Sequence, residues 1–425
     1  MKKTIVICVS VLILLAIAAA YSILVYLSKD DPPPNDADLR LERLNIPDKE
    51  NAFTYFELAG ENVYELPEIE GEEGQTKFYA MMRGEAWDEE LAERVLNGNE
   101  KAFEYLEQGL ECTKIEFPEL KAGFASPLPA LSRWRRVGKL KALQGGLLFR
   151  RGNEAEAFEA YLAVFKFGQM VENGRGALIP FILGEGIKND GLDCIRAYLP
   201  KTTLEPEELL ACCDTLREYE DDSQGLADSM RIEYMVRAGE IDSFAQGRGN
   251  LGSELQFTDG VFWVTNHGYF FKPNGTKTLL AKFFRAGIDD ITRPPAEWAA
   301  PKLFARVRLP GVASFLFRPN GVGRASALLL LPPFTKSSTR RLEIRAELSA
   351  TRLLIALKCY KMRTGKLPQT LDALVPDYID KIPADNFDGQ PMRYSAEKKL
   401  IYSVGEDLQD DGGDAEKDII FEIEF

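Results

Sequence analysis

The sequence of 425 residues contains a single histidine, His267, and no CxxC pair among its six cysteines. One histidine excludes histidine-rich zinc sites and leaves only one centre for a Ser-His-Asp or Cys-His catalytic arrangement. The missing CxxC pair argues against a thioredoxin-like redox motif and a zinc ribbon. No nucleophile lies near His267 in the sequence, so we expect it to be a hydrogen-bonded structural residue.

The sequence also lacks a surplus of basic residues. It has 52 Lys and Arg against 66 Asp and Glu, a formal net charge of -14. Binding to nucleic acid needs clustered Lys and Arg, so we expect no nucleic-acid partner. The composition is otherwise that of an ordinary globular protein, with 45% apolar and 28% charged residues, and excludes a disordered or multi-span chain.

One apolar run, Thr4 to Leu27, carries no charge over 24 residues. It predicts a transmembrane signal-anchor in residues 1–28, because 24 helical residues exceed the hydrocarbon thickness of a bilayer. Lys2 and Lys3 precede the run and Asp30 and Asp31 follow it. The positive-inside rule therefore predicts a single pass through the inner (cytoplasmic) membrane with the C-terminal bulk in the periplasm.

The alternative is a cleaved signal peptide, since Ala18-Ala19-Ala20 is a small-residue cleavage site. We favour the anchor because the apolar character continues to Leu27. Residues 29–38, with three consecutive prolines from Pro32 to Pro34, are predicted to form a short stiff spacer.

Five cysteines follow the apolar run, so at least one is unpaired: Cys112, Cys194, Cys212, Cys213 and Cys359. Two interpretations stay open. Cys194 forms a disulfide with Cys212 or Cys213, or all five are small apolar side chains in the core.

Residues 39–336 are predicted to form a helical body, which makes the chain mainly α. The stretch from Leu143 to Gln169 indicates two helices hinged at 151–153, weakly similar to a tetratricopeptide hairpin. A second helix pair is predicted at Leu178 to Leu199 and Glu205 to Tyr219. Between Ser132 and Arg151 there are seven basic residues and no acid, which indicates a solvated helix face or a surface for anionic lipid or an acidic partner.

Residues 337–425 are predicted to form a small α+β head. A long helix runs from Ser337 or Ser338 to about Arg363 and ends at Gly365, and a short helix follows at 368–376. Three strand-like runs, at 392–394, 400–404 and 419–425, predict an antiparallel sheet against the long helix.

An acidic loop, residues 405–418, lies between the last two strands. From Gly405 to Phe425 there are nine acids and one lysine. Crowded carboxylates on a glycine-bent loop suit calcium, which takes six to eight oxygen ligands from flexible loops, or form a merely solvated turn. The EF-hand spacing is absent.

An ordered series of residues runs through the head: Gly365-Lys366-Leu367-Pro368, Leu371-Asp372-Ala373-Leu374, Ile382-Pro383, Asp385, Gly389, Pro391, Tyr394, Tyr402-Ser403-Val404-Gly405, Asp407, Gly412-Gly413 and Asp418-Ile419. Over about 75 residues, this series resembles the C-terminal head of the type II secretion major pseudopilins. The resemblance implies an α+β head with a structural calcium ion, and by position it implies Asp407 and Asp418 as ligands. Asp410, Asp411 and Asp414 are further candidate ligands from their chemistry.

The chain departs from that family outside the head. Its apolar run has no prepilin cleavage signature, and about three hundred residues separate the run from the head. The start of the long helix is charged, from Arg340 to Arg345, so this helix is not a membrane-embedded pilus stem. Polymerisation into a pseudopilus is not implied, and Leu408 replaces the usual glycine after the first aspartate of the loop.

These features favour a membrane-anchored, non-enzymatic protein of the cell envelope that serves interaction or scaffolding, beside secretion or surface-assembly machinery. The remaining alternative is an exported hydrolase that uses carboxylates. Such chemistry needs two carboxyl groups about 5 to 9.5 Å apart in a cleft, and the sequence identifies no such pair.

Overall fold

The computed structural model describes residues 2–69, 71–119, 131–219, 224–247, 268–298, 302, 318–331 and 334–425. In these residues the chain is mainly helical and ends in one small antiparallel sheet, as predicted. The helices are α1 Lys2–Ser28, α2 Ala52–Glu61, α3 Gly71–Met82, α4 Glu89–Asn97, α5 Glu100–Glu111, α6 Leu131–Arg150, α7 Glu154–Glu172, α8 Leu178–Tyr198, α9 Pro206–Arg217, α10 Gln224–Ala245, α11 Pro273–Asp290, α12 Gly321–Leu329 and α13 Phe334–Thr364.

Helix α1 carries the apolar run. Its segment Ser10–Ser28 has a mean hydropathy of 2.4, and none of it is buried by the rest of the chain. A helix this long and apolar is able to cross a membrane, and a signal sequence has the same two properties.

The segment after α1, residues 29–38, lies against the body. Asp30 Oδ2 accepts a hydrogen bond from the backbone N–H of Asn274 at 3.1 Å, and Asp36 accepts one from the Tyr234 hydroxyl at 2.7 Å. Asp38 pairs with Arg285 at 2.7 Å. The residues predicted as a spacer therefore hold the end of α1 against α10 and α11.

Helices α6, α7 and α8 pack side by side in the middle of the body. The hinge between α6 and α7 falls at 151–153, where Gly152 has a φ of +85°. This hinge and the second predicted pair, α8 and α9, are confirmed. The likeness to a tetratricopeptide hairpin is not confirmed and stays a prediction.

The contact between α7 and α8 leaves no room for side chains at two glycines. A Cβ added to Gly168 would lie 2.6 Å from the carbonyl oxygen of Gly184, and one added to Gly184 would lie 2.6 Å from that of Gly168. Two helix backbones approach this closely only where neither residue has a side chain.

Charged side chains are buried beside these glycines. The Lys188 ammonium contacts Glu172 of α7 and lies 2.8 Å from Glu185 of its own helix. All three residues are at most 6% exposed. The two carboxylates raise the pKa of Lys188 although its burial acts to lower it. The ammonium is therefore charged in the interior, where it joins α7 to α8.

Two apolar cores lie at opposite ends of α8. The larger core contains residues of α2 to α9 together with residues of the head. The smaller core is formed by α10, α11 and α12, and it includes Leu39 and the first turns of α8, through Leu178 and Phe181. Helix α8 thus connects the core beside the end of α1 with the core beneath the head.

The head consists of α13 and a sheet in the order β1-β2-β3, with β1 Arg393–Ser395, β2 Leu400–Ser403 and β3 Ile419–Glu422. Both pairs of strands are antiparallel, with Tyr402 opposite Arg393 on one side and Ile420 on the other. Helix α13 begins at Phe334, three residues before Ser337 and four before Ser338, the two predicted starts, and it ends at Gly365, whose φ is +78°. The predicted short helix is a 3-10 turn at Leu371–Leu374.

Helix α13 packs on α8 and α9 as well as on β2. Its buried Lys358 donates from the ammonium to the carbonyl oxygens of Leu199 at 2.6 Å, Thr202 at 3.0 Å and Pro200 at 3.2 Å. The last carbonyls of a helix have no partner within it and carry partial negative charge. Lys358 supplies the missing donors at the end of α8 and joins the head to the body.

We expect Lys358→Met to lower the free energy of unfolding by about 2 to 3 kcal/mol, because it leaves buried carbonyl groups without a donor. Chemical denaturation of the purified protein, followed by circular dichroism, measures this loss. Lys361→Met is the matched control, since Lys361 lies one turn further along α13 and its ammonium forms no hydrogen bond or ion pair with another described residue. Equal losses in the two variants would contradict the assigned role.

Candidate functional site

The head is organised around one buried aspartate, Asp385, which is 0% exposed. Its carboxylate accepts hydrogen bonds from the backbone N–H groups of Phe387 at 3.0 Å and Val404 at 2.9 Å, and from the Ser403 hydroxyl at 2.8 Å. A fourth comes from Arg393 at 2.8 Å. Asp385 therefore fastens the turn before β1 to the end of β2, where the acidic loop begins.

Arg393 connects this aspartate to two others. Its guanidinium donates to Asp388 and lies 3.6 Å from Asp410 of the acidic loop. Burial acts to raise the pKa of Asp388, but the hydrogen bonds from Arg393 outweigh it and hold the pKa below its ordinary value. Arg393 was not among the predicted site residues. The available signal was an arginine in a predicted strand that follows a turn with four acidic or amide-bearing residues, Asp385, Asn386, Asp388 and Gln390.

The acidic loop leaves β2 through a 3-10 turn at Gly405–Asp407 and reaches β3 at Ile419. Its backbone has positive φ at Gly405, Leu408, Gly412 and Gly413. Leu408, at a φ of +60°, takes the conformation that suits the glycine expected there. The glycine-bent loop is confirmed.

Three of the five predicted ligands form local turns. Asp407, Asp410 and Asp414 are exposed, and the Oδ1 atom of each accepts a hydrogen bond from the backbone N–H two residues further on, at 3.0 Å. These are Asx turns, in which an aspartate stabilises its own loop. The Tyr402 hydroxyl also donates to Asp410 at 3.1 Å, and burial together with this bond raises the pKa of Tyr402 to about 12.

The other two predicted ligands each have a buried carboxylate oxygen to which no residue of described position donates a hydrogen bond. Asp418 is 5% exposed, and its Oδ2 accepts from the backbone N–H groups of Gly413 at 2.7 Å and Asp414 at 3.1 Å. Its Oδ1 has no donor among the described residues, and neither has Oδ2 of Asp411, whose Oδ1 pairs with Lys417 at 2.7 Å. A buried carboxylate oxygen that lacks a donor is destabilising unless a cation binds it.

Among the residues with described positions, no three His, Cys, Asp or Glu side chains are grouped as they would be around a metal ion. Calcium also takes backbone carbonyls and water as ligands. Asp411 and Asp418 fit a cation through their free oxygens, whereas one oxygen of each of the other three aspartates is engaged in an Asx turn.

The cysteines and the histidine add no site to the head. All five cysteines after α1 are free thiols, which contradicts the Cys194 disulfide. Four of them are buried, which confirms the apolar interpretation for these four, and Cys112 is partly exposed. Burial raises the pKa of Cys194, so the thiol stays protonated. His267 lies outside the described residues.

The basic run along α6, residues 132–151, makes many contacts within the chain. Six of its seven basic side chains contact acids or aromatic rings: Arg135 with Asp190, Arg136 with Glu65, Lys141 with Glu107, Arg151 with Glu93, Lys139 over Tyr79 and Arg150 over Trp87. Of the seven, only Arg133 forms no such contact with a described residue. The run therefore makes contacts that join α6 to its neighbours, while Arg133, Arg135, Arg150 and Arg151 stay exposed, as on a solvated helix face. The alternative of a surface for anionic lipid or an acidic partner stays a prediction.

No protein-family model, no curated protein and no solved structure matches this chain.

We expect Asp385→Ala to lower the free energy of unfolding by about 3 to 5 kcal/mol, because it leaves the Arg393 guanidinium and several buried donors without their acceptor. Denaturant unfolding measures this. Asp372→Ala, which removes an exposed acid from the same head, is the control and should change stability by less than about 0.5 kcal/mol. A small loss for Asp385→Ala would show that the head does not depend on this residue.

Proposed function

We propose that this chain is a non-enzymatic scaffold of the cell envelope, anchored once in the inner membrane by α1, with its body and head in the periplasm. The observation that carries the proposal is the exposed apolar helix, Ser10–Ser28, of which no part is buried. An apolar surface of this length is stable in a bilayer and not in water. Its flanking charges, with lysines before and aspartates after, favour a cytoplasmic N-terminus.

The contacts after α1 support an anchor with a fixed body. Asp30, Asp36 and Asp38 all bond to α10 or α11, so the end of the apolar helix is held against the smaller core. A retained helix would therefore keep the body beside the bilayer surface. The shared core of body and head supports a rigid platform, because α13 packs on α8 and α9.

The resemblance of the head to the type II secretion major pseudopilins places the proposed role beside secretion or surface-assembly machinery. In this proposal the head presents a fixed surface to a protein partner and does not polymerise. The acidic loop then has a structural role, with a calcium ion held by Asp418 and Asp411 and by other oxygens of the loop.

We expect a reporter fused after Phe425 to be active in the periplasm, and the protein to stay in the membrane fraction after an alkaline wash. Lysine residues before an apolar helix hold its N-terminus in the cytoplasm, so Lys2→Glu with Lys3→Glu should reduce the periplasmic activity. Lys29→Glu, on the other side of the helix, is the matched control. Release of a soluble protein beginning at Tyr21 would instead establish a cleaved signal peptide.

We expect calcium to raise the melting temperature of the protein and a chelator to reverse the rise. Binding to the folded state alone stabilises by about 2.7 kcal/mol when free calcium is a hundredfold above its dissociation constant. Magnesium should act weakly, because it demands a tighter octahedral site and gives up its waters reluctantly.

The matched variants for this test are Asp418→Asn and Glu416→Gln, which remove the same charge from the same loop. Asp418→Asn should abolish the calcium-dependent shift, and Glu416→Gln, at an exposed residue, should preserve it. Thermal melts with and without calcium compare the shifts within each variant, so a change in baseline stability does not confuse them. An unchanged wild-type melting curve at millimolar calcium would identify the loop as a solvated turn.

A further inference from the structure

Strand β3 is an edge strand of the sheet, and part of its backbone faces away from β2. The backbone N–H of Ile423 donates to the carbonyl of Lys399 at 2.9 Å. Hydrogen-bonded pairs alternate along an antiparallel ladder, so Phe421, opposite Ile401, bonds to β2. Ile420 and Glu422 therefore direct their N–H and C=O groups outward, and no described residue bonds to these four groups.

A groove of about 460 Å³ runs along this edge. One wall is β3 and the residues after it, and the other is the end of α8 with the turn that Lys358 holds in place. Leu199, Pro200 and Leu354 contribute apolar surface. The volume is in the range of clefts that hold ligands in other proteins.

The edge of the groove carries unpaired negative charge. Glu422 and Glu424 lie two residues apart, so their side chains lie on one face of the sheet, and both residues are exposed. Neither forms an ion pair with a described residue. The charged residues of the opposite wall are paired, since Arg196 pairs with Asp193 and with Glu347, and Arg83 pairs with Glu85.

We propose that this groove binds an extended segment of a partner protein, which adds a fourth strand beside β3 and alternates basic with apolar side chains. The backbone of the segment would pair with Ile420 and Glu422. Its basic side chains would lie across from Glu422 and Glu424, and its apolar side chains would face Leu199 and Leu354. This inference names the partner chemistry of the proposed scaffold, and it depends on neither the membrane anchor nor the calcium ion.

Two features of β3 favour the binding of such a segment: its unpaired edge and the negative charge of Glu422 and Glu424. An edge strand is a template for another strand unless its outward groups are covered, and opposite charges on facing strands stabilise the pairing. Strand addition of this kind takes affinity from backbone hydrogen bonds and specificity from the alternate side chains. An acidic segment would instead be repelled by Glu422 and Glu424.

The test uses the full chain in detergent micelles and a blocked, fluorescent heptapeptide of alternating lysine and valine. Fluorescence anisotropy should show binding that weakens at high salt, and the same peptide with glutamate for lysine should bind at least tenfold more weakly. Hydrogen exchange at the amides of Ile420 and Glu422 should slow when the lysine peptide binds, while the amide of Phe421 should not change. Failure of this experiment leaves the topology and calcium tests unaffected.

Variants at the edge locate the binding. Ile420→Pro removes an outward N–H and none of the hydrogen bonds to β2, so the sheet should tolerate it while binding weakens about tenfold. Ile420→Val is its control. Glu422→Gln with Glu424→Gln should also weaken binding, whereas Glu397→Gln with Glu416→Gln, at exposed acids elsewhere on the head, should not.

A peptide methylated on alternate backbone nitrogens gives the same information without changing the protein. Methylation of the nitrogens on the peptide edge that pairs with β3 removes the donors to β3 and should abolish binding. Methylation on the opposite edge should preserve binding, so only one of the two methylated peptides should bind. Equal affinity of the two methylated peptides, equal affinity of the lysine and glutamate peptides, or no binding at millimolar peptide would each overturn the proposal.

Discussion

The close approach of α7 and α8 is the contact on which the arrangement of the molecule depends. Gly168 and Gly184 let the two backbones meet where a single methyl group would collide with a carbonyl oxygen. At the same contact, Lys188 of α8 pairs with Glu172 of α7 and holds the two helices together. The first turns of α8 lie in the smaller core and its last turn lies beneath the head. A shift of α8 against α7 would therefore displace α8 in both places.

The contact between α7 and α8 also contains the buried charges of Lys188, Glu172 and Glu185. A lysine between two carboxylates is costly to bury, and the loss of one partner would leave the others uncompensated. The Lys358 ammonium at the far end of α8 follows the same physical rule with carbonyl groups in place of carboxylates. In both places a buried cation sets the position of one helix relative to the next. Apolar side chains alone would specify that position less well.

The local pattern of the sequence predicts most of the helices and the sheet. The hinge at 151–153, the pair α8 and α9, the end of α13 at Gly365 and the three strands all follow from periodicity and turn residues. The two segments Phe271 to Gly275 and Phe317 to Gly321 illustrate the limit of such reasoning. Each contains the same Phe-basic-Pro-Asn-Gly pattern, which predicts a turn that starts a helix with asparagine accepting the free N–H groups of the first turn. Helices do begin at Pro273 and Gly321. Neither asparagine caps its own helix through its side chain. The N-cap residue of α11 is Lys272, and Asn320, at the N-cap position of α12, instead accepts a hydrogen bond from the backbone N–H of Lys272 in the other segment.

Contacts between distant residues account for what the sequence could not predict at the candidate site. Asp385 was visible as part of a series, but its four donors come from residues up to 19 positions away. Arg393, the outward backbone groups of β3 and the free oxygens of Asp411 and Asp418 depend on register and loop geometry. The pairing of the basic run in α6 with acids such as Glu65 and Glu107 likewise requires the packed fold.

The length of α8 has a consequence for how far a partner must reach. Its 21 residues extend over about 30 Å, so its first turns in the smaller core and its last turn beneath the head are about that far apart. In the proposed arrangement, with α1 in the bilayer, a partner tethered in the same bilayer would need about nine extended residues to cover the length of α8. A longer tether would lower the effective concentration of the docking segment, so the length of α8 would set the shortest effective linker of such a partner.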